Sequence, residues 1–528
     1  MSEGSAQPRM GGQPVFILSD DSERTQGNDA QSSNISAGKA VSEAVRTTLG
    51  PRGMDKMLVD SSGDVTITND GATILNKMDI EHPAAQMIVE VADAQEDEVG
   101  DGTTTAAVLS GQLLAEAEDL LEDDVHPTTI VEGYFEAARI AIDAIDDQVL
   151  DGEIDDDLLR AVAESSMTGK GTGGVDAEGL ADVVVSAIRQ VETDAGVQRD
   201  EVLLQTQVGA SSAATELVSG VIVDEAPVHE SMERSVSDAS VAVIDQALEI
   251  KESEVDAEYS VTSVDQLNQA LDAEESELRG YADAVAESGA DVAFVSDDID
   301  DRVASYLANQ GVLAFEGISS DEIRSVAQAT GASRIGDVND LEESDLGFVE
   351  SISVQRYADD ELTFIEGGAE AQSVTIFARG GTEHVVDELE RALQDALDVV
   401  TAALDMGGVV PGAGGSEIAM ASAIRKASAG IEGRKQLAVD AFADAIDVLP
   451  RTLARNTGVD PIDALVDLRA QFDKDGRAGL IATGETGDVD DPVDYGIVDP
   501  AAVKREAVDS AAESATMIIR IDDIISSD

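Results

Sequence analysis

Cysteine is absent from this chain of 528 residues, and basic residues are scarce. Without cysteine there is no disulfide framework, no thiol chemistry and no cysteine-based metal site. The 33 Lys and Arg residues are outnumbered by 109 Asp and Glu, which gives a formal net charge of -76. A surface of that sign repels nucleic acid and anionic membranes. We therefore expect neither nucleic acid nor a membrane as a partner.

Histidine is rare, and long apolar runs are missing. The four histidines are too scattered to suggest a zinc cluster: His82, His126, His229 and His384. No apolar run approaches the ~18 residues that span a bilayer. The polar residues 1–4 also lack the basic and apolar regions of a signal peptide. These features predict a cytoplasmic protein.

The acidic residues are spread along the whole chain and decorate helices whose apolar stripes are intact. Acidic residues distributed in this way indicate adaptation of the surface to its solvent more than a binding site for a substrate. In molar salt the screening length falls to roughly 3 Å, so that the self-repulsion of a highly charged protein is suppressed. The composition therefore indicates a halophilic host with a salty cytosol.

The chain is long enough for two to four domains, and the secondary structure that its sequence predicts changes twice along it. Helical periodicity covers residues 35–149, apart from one short β-prone run at 65–68, and returns after the glycine pair at 380–381. Between them, short β-prone runs alternate in part with helical segments at 299–309 and 319–330. These runs are residues 220–223, 241–244, 292–295 and 312–315. The order predicts an α/β module inserted into a helical one.

Two Asp-Gly turns, at residues 68–75 and 100–105, each open a predicted helix. Each combines a carboxylate with free backbone N–H groups at a helix start, as a magnesium-bound polyphosphate requires. One such turn alone is better explained as a plain turn with a helix cap. The second turn carries three threonines at positions that would face phosphate, which favours a nucleotide site.

Three further features have two explanations each. Asp395 lies on the predicted helix 382–404, about 180° from its apolar stripe, and periodicity alone makes it a solvated surface acid. The glycine-rich stretches 407–417 and 49–53 are either flexible connectors or loops whose backbone approaches a ligand. Neither is a Walker A motif, because no Gly-Lys-Ser/Thr follows at the required spacing.

Several motifs together resemble a group II chaperonin, and more narrowly an archaeal thermosome subunit from a halophile. They are residues 47–57, the two Asp-Gly turns, and residues 379–384 and 520–525. The resemblance implies a multidomain α and α/β fold: an all-α equatorial domain, a small α/β intermediate domain, and an α/β apical domain with a helical protrusion. The implied limits are equatorial 1–147 and 405–528, intermediate 148–216 and 369–404, and apical 217–368 with the protrusion at about 252–283.

The same resemblance assigns roles to individual residues. Asp70 and Asp395 match the acids that position and activate the attacking water, and Asp101 matches the Mg²⁺ ligand. Lys170 matches a residue of the loop that senses the γ-phosphate. The remaining matches to the nucleotide site are Leu49, Gly50, Pro51, Gly102, Thr103, Thr104, Thr105, Gly412, Ile481, Ala482 and Asp499. The implied cofactors are ATP or ADP and Mg²⁺, with K⁺ as a further candidate.

The function implied by the resemblance is an ATP-dependent folding chamber. Subunits of this kind form two stacked rings, commonly of eight, which enclose non-native proteins under a built-in lid. The alternative is a ring-forming scaffold that holds unfolded proteins with little or no ATP turnover. Two departures motivate it: Met406 replaces an acid, and Ala413 replaces a glycine of the family. Ala413 is harmless if its φ is negative and distorting if φ is positive.

Overall fold

The computed structural model describes residues 23–170, 177–250, 264–357, 360–368, 373–482 and 487–526. Within these ranges the α-helices, numbered in chain order, are α1 (Asn28–Val45), α2 (Gly71–Lys77), α3 (Pro83–Val99), α4 (Thr103–Glu122), α5 (Pro127–Asp146), α6 (Asp156–Met167), α7 (Ala177–Val191), α8 (Val264–Glu287), α9 (Asp301–Gln310), α10 (Ser320–Thr330), α11 (Glu383–Asp405), α12 (Gly415–Ser428), α13 (Lys435–Ile446), α14 (Val448–Thr457), α15 (Pro461–Asp475) and α16 (Ala501–Ile519). The strands are β1 (Glu23–Gln26), β2 (Lys56–Val59), β3 (Val65–Thr68), β4 (Glu192–Thr193), β5 (Gly196–Val197), β6 (Val202–Val208), β7 (Glu216–Val218), β8 (Gly220–Val223), β9 (Ser235–Ile244), β10 (Val292–Val295), β11 (Leu313–Phe315), β12 (Arg334–Ile335), β13 (Gly347–Tyr357), β14 (Asp360–Gly368), β15 (Val374–Gly380), β16 (Val409–Pro411), β17 (Gly479–Ile481), β18 (Asp488–Asp490), β19 (Val498–Pro500) and β20 (Asp523–Ser526).

A helical core brings the two ends of the described chain together. Helix α4 packs against α1, α13 and α16, and its neighbour α5 also contacts α13 and α16. Tyr134 is fully buried there, donates a hydrogen bond to the Leu113 carbonyl at 2.8 Å, and meets the Phe442 ring edge-on at 5.5 Å. Burial of such aliphatic and aromatic side chains is the main stabilising force of this layer.

Four short two-stranded sheets accompany the helices of this layer. They pair β1 with β20, β2 with β3, β16 with β19, and β17 with β18, all antiparallel. Only residues 65–68 were expected to be extended there. The other strands are only three or four residues long, which is too short for their sequences to show a clear periodicity.

A second core lies in the middle of the molecule. Strand β15 runs parallel to β6 and antiparallel to β7. Helices α7 and α11 pack on this sheet and on each other, and α6 packs on both of these helices. The same apolar cluster includes Val99 at the end of α3 and Val503 in the first turn of α16. The middle core therefore adjoins the first helical layer beside the second Asp-Gly turn.

A third core surrounds a seven-stranded sheet in the order β11-β10-β9-β13-β14-β8, with β12 also paired to β9. Strands β9 to β12 pair in parallel, whereas β13, β14 and β8 pair antiparallel. Phe294 and Phe315 stack at 4.9 Å inside it. The four β-prone runs and both helical segments expected in this region are confirmed. The long hairpin of β13 and β14 was not anticipated.

The expected protrusion at 252–283 lies partly outside the described residues, which resume at 264. From there the chain forms α8, which packs on α9. Leu278 is fully buried in the third core and Tyr281 is partly covered, whereas Leu271 is 52% exposed. The later half of the predicted segment is therefore an amphipathic helix packed on its own domain. Among the described helices, none is both long and apolar enough to cross a bilayer.

Ala413 has a φ of 53°, in the left-handed region that L-residues other than glycine rarely adopt. Its carbonyl accepts a hydrogen bond from the Leu480 amide at 2.9 Å, which fixes the loop between β16 and α12. Of the two outcomes expected for this position, the strained one is found.

Ala413→Gly is predicted to raise the free energy of unfolding by about 0.5–1 kcal/mol. Glycine adopts positive φ without a steric cost, which stabilises the folded state. The greater conformational entropy that glycine gives the unfolded chain offsets only part of this stabilisation. Thermal or denaturant unfolding in molar KCl measures the change. As a control, Ala419→Gly in helix α12, where the alanine is buried, should destabilise by about 1 kcal/mol. An Ala413→Gly variant no more stable than the parent would contradict the strain.

Candidate nucleotide site

The two Asp-Gly turns lie against each other. A Cβ atom added to Gly71 would come within 2.4 Å of Thr104 Oγ1 and 2.9 Å of the Thr104 backbone nitrogen. The Asp70 carboxylate caps α2 by accepting a hydrogen bond from the Thr73 amide at 2.6 Å. Its other oxygen accepts a hydrogen bond from Thr103 Oγ1 at 3.5 Å. Turns that are separate in sequence thus form one polar surface, which only glycine permits at this distance.

The second turn presents backbone donors at the start of α4. Gly102 is the N-cap residue, with a φ of 85° and no side chain to cap the helix. Its N–H donates to Asp101 Oδ1 at 2.7 Å, and buried Gln95 donates to the Asp101 carbonyl at 2.8 Å. The first amides of a helix have no partner within it and attract anions. The turn therefore suits a phosphate group.

Loop contacts hold the neighbouring glycine-rich segment in place. Asn456 donates to the Leu49 carbonyl at 2.8 Å. Gly169 lies so close to this loop that a Cβ atom there would be 3.2 Å from the Gly50 carbonyl oxygen. Asn69 in turn donates to the Gly169 carbonyl at 2.6 Å. The segment 49–51 is therefore a fixed wall of the site rather than a free connector.

A buried lysine joins the middle core to the helical layer. Lys170 follows α6 and forms an ion pair with Asp395 of α11. The same ammonium group is 4.0 Å from Asp101 Oδ1. The side chains of Lys170 and Asp395 are only 18% and 10% exposed. Asp395 is therefore not a surface acid, because it is among the buried residues of α11, and Asp398 on the same helix packs against Gly100 of the second turn.

Acidic groups outnumber this lysine. Burial alone would lower the pKa of Lys170, but the carboxylates of Asp101 and Asp395 outweigh it and hold that pKa above its usual value. Burial raises the pKa of Asp395, and Lys170 offsets only part of the effect. Burial, together with the charges of Asp70, Asp395 and Asp101, raises the pKa of Glu96 to about 8. The site thus has an excess of negative charge that a further cation would relieve.

A second charged cluster lines the same cavity. Lys504 Nζ is 2.8 Å from Asp499 Oδ2 and 2.8 Å from Glu417 Oε1. Gly412 packs beside them, because a Cβ atom there would be 3.2 Å from Asp499 Oδ2. Burial would lower the pKa of Lys504, but the two carboxylates raise it above its usual value.

These groups surround a cavity of about 480 Å³. The site residues expected from the sequence that line it are Leu49, Gly50, Pro51, Asp70, Asp101, Gly102, Thr103, Thr104, Thr105, Lys170, Ile481, Ala482 and Asp499. Gly412 and Asp395 are not among the lining residues, but each contacts one of them, Asp499 and Lys170 respectively.

Sequence reasoning missed some residues of this site. Glu417 and Lys504 line the cavity, and Gln95 holds the Asp101 loop from behind. Glu417 does lie in the glycine-rich stretch 407–417, which was a sequence signal. Lys504 and Gln95 lie on helices with no distinguishing pattern, so only the tertiary contacts identify them.

The donor set is compatible with a divalent metal that also binds phosphate. Among the described residues, no three Asp, Glu, His or Cys side chains could hold a metal ion by themselves. Mg²⁺ commonly binds one or two carboxylates and completes its shell with phosphate oxygens and water. Asp101, beside the free amides of α4, could hold such an ion.

Comparison with known proteins agrees with this geometry. Residues 41–528 match the model of the TCP-1/cpn60 chaperonin family. The chain belongs to that family. It is 66% identical over 515 residues to thermosome subunit 3 of Haloferax volcanii, an alignment covering 97% of this chain and 98% of the relative. It is also 52% identical over 520 residues to thermosome subunit alpha of Halobacterium salinarum, covering 98% and 92%.

A third relative is slightly less similar to this chain. The thermosome subunit of Methanopyrus kandleri is 47% identical over 519 residues, covering 97% of this chaperonin and 95% of the relative. The family and these relatives identify a group II chaperonin, an ATPase that forms oligomeric rings with sibling subunits and acts on client proteins. They do not favour the alternative of a scaffold without ATP turnover.

Glu96→Gln is predicted to flatten the pH dependence of the chaperonin's stability without nucleotide. A carboxyl whose pKa rises from 4.5 to about 8 on folding contributes stability below 4.5 that is lost as the pH rises through 8. The variant should therefore gain stability relative to the parent across that interval. Denaturant unfolding in molar KCl at several pH values measures it, with Glu98→Gln, an exposed acid on the same helix, as control. Identical pH profiles for the Glu96→Gln variant and the parent would contradict the prediction.

Proposed function

We propose that this chaperonin binds Mg-ATP in the cavity and hydrolyses it with residues from two layers of the subunit. The observation that carries the proposal is the position of Lys170, paired with Asp395 on one side and 4.0 Å from Asp101 on the other. One lysine therefore contacts the proposed water-activating acid and lies beside the proposed metal ligand.

The phosphate end of the site consists of the second Asp-Gly turn. Asp101 binds Mg²⁺, while Gly102 and Thr103 to Thr105 hold phosphate oxygens through backbone and hydroxyl donors. The metal supplies positive charge that stabilises the transferred phosphoryl group. Leu49, Gly50 and Pro51 form the adjoining wall. K⁺ remains a further candidate ion for this acidic site.

Asp70 and Asp395 orient the attacking water and accept its proton. A base is most effective when its pKa lies near the working pH, and burial moves the pKa of Asp395 upward from the range of an exposed carboxyl. Lys170 contacts the γ-phosphate. Because Asp395 and Lys170 lie on or beside helices of the middle core, movement of that core would assemble or open the catalytic set.

The nucleoside end of the nucleotide is assigned to other lining residues of the same cavity. Ile481 and Ala482 flank the adenine, and Asp499 binds the ribose. Gly412 allows the backbone to approach closely, since a Cβ atom would crowd the Asp499 carboxylate.

We assign the three cores to the three parts of a chaperonin subunit. Residues 1–147 and 405–528 form the equatorial domain, 148–216 and 369–404 the intermediate domain, and 217–368 the apical domain. The segment 252–283 serves as the lid. Two stacked rings of eight subunits enclose the client. The acidic surface fits work in the cytoplasm of a salt-accumulating cell.

Asp395→Ala is predicted to retain Mg-ATP binding and to lose most hydrolysis, by a factor of about 10²–10⁴, since it removes a base that does not line the phosphate cradle. Asp101→Ala should instead weaken the binding of metal and nucleotide together. Phosphate release and nucleotide affinity, measured in molar KCl, separate the two effects.

Glu383→Ala is the matched control, because Glu383 is an exposed acid in the first turn of the same helix α11. It should hydrolyse ATP at the parental rate. Parental turnover by the Asp395→Ala variant would show that another group activates the water.

A further inference from the structure

Lys504 occupies an unfavourable position for a lone cation. It lies in the first turn of α16, where the helix dipole repels positive charge, and its side chain is only 12% exposed. Two carboxylates compensate for this cost, Glu417 Oε1 and Asp499 Oδ2, each at 2.8 Å. Three charged side chains from two separate chain segments, residues 499–504 and the start of α12, therefore meet at one wall of the cavity.

The two carboxylates differ in their surroundings. Glu417 is 3% exposed, and its second oxygen has no hydrogen-bond partner among the described residues. The Asp499 side chain is 28% exposed and faces the cavity. Glu417 therefore serves as the internal counter-charge of the lysine, while Asp499 is the member that a ligand can reach.

Contacts with one oxygen restrict the Asp499 carboxylate. Lys504 binds Oδ2, and Gly412 packs beside the same atom, at a distance where a Cβ would be 3.2 Å away. Because both contacts involve Oδ2, the other carboxylate oxygen, Oδ1, is the one that is available to bind a ligand. Without Lys504, the carboxylates of Asp499 and Glu417 would repel each other across the vacated space, and Asp499 would lose its fixed orientation.

We propose that Lys504, anchored by Glu417, is a positioning residue that orients Asp499 toward the sugar hydroxyls and so makes the site selective for nucleotides carrying them. The proposal rests on the function proposed above for Asp499. It assigns Lys504 no direct contact with the nucleotide and no part in the bond-breaking step. Its removal should therefore affect nucleotide selection and KM far more than kcat.

The test variant is Lys504→Met/Glu417→Gln, which removes one positive and one negative charge and nearly conserves volume. A single Lys504 substitution would leave Glu417 buried without a counter-charge and endanger folding. The probes are ATP and 2′,3′-dideoxy-ATP, which lacks both sugar hydroxyls. We expect the parent to prefer ATP by about tenfold, as for one hydrogen bond to a charged group. The double variant should lose most of that preference, raise KM for ATP about tenfold, and keep kcat within about twofold.

The control is Lys435→Met/Glu136→Gln, because this pair has the same 2.8 Å separation but lies outside the cavity, between α13 and α5. It should keep the parental preference. A second comparison uses Asp499→Asn. If Lys504 acts only through Asp499, the double change should cause no further loss of preference in the Asp499→Asn background.

Three results would overturn the proposal. In the first, an assembled double variant retains the parental preference for ATP. In the second, the double change lowers the preference as much in the Asp499→Asn background as in the parent, so that Lys504 acts independently of Asp499. In the third, Asp499→Asn itself keeps the full preference, which refutes the ribose role of Asp499 together with this proposal. If the double variant does not assemble, Lys504→Leu/Glu417→Gln carries the same test.

Discussion

The ion pair between Lys170 and Asp395 is the interaction on which the site depends. It connects α6 and α11 of the middle core with the Asp101 turn of the helical layer. Both side chains are buried, so removal of either would leave a charge in a poorly solvated place. Because the same ammonium group lies 4.0 Å from Asp101 Oδ1, the pair holds the middle core against the helical layer beside the nucleotide cavity.

The balance of charge at this pair explains why nucleotide and metal would influence it. Asp70, Asp101 and Asp395 all lie near one lysine. Burial, together with the charges of these three acids, raises the pKa of Glu96 to about 8. An added divalent cation would relieve this repulsion, whereas phosphate oxygens would compete with Asp395 for Lys170. Binding and hydrolysis can thus shift the contact between the layers, which is how an ATPase site could drive domain movement.

The extreme acidity of the chain and the electrostatics of the site respond differently to salt. The net charge of -76 is spread over the surface and is screened in molar salt. The buried pairs of Lys170 and Lys504 are screened much less, because solvent ions have little access to them. The protein can therefore tolerate a surface of one sign while it retains specific ion pairs around its cavity.

The sequence predicted those parts of the site that depend on local rules. The Asp-Gly turns could be recognised because the turn residues and the start of the following helix are consecutive in the sequence. Short apolar runs such as residues 292–295 likewise identified buried strands. The burial of Asp395 could not be predicted from periodicity, since a second layer covers the polar face of α11. Lys504 and Glu417 are far apart in the chain, and only tertiary packing brings them together. The β13 and β14 hairpin was missed, although the alternation of buried and exposed positions along β13 is a strand signal.

The most direct test of the account is a structure of the assembled particle in molar KCl with Mg²⁺ and a non-hydrolysable ATP analogue. The account predicts that the nucleotide fills the cavity between the two Asp-Gly turns and Asp499. It also predicts that the metal binds Asp101 and that Lys170 contacts the terminal phosphate. A nucleotide bound elsewhere, or a metal without contact to Asp101 and a Lys170 remote from the phosphates, would contradict it.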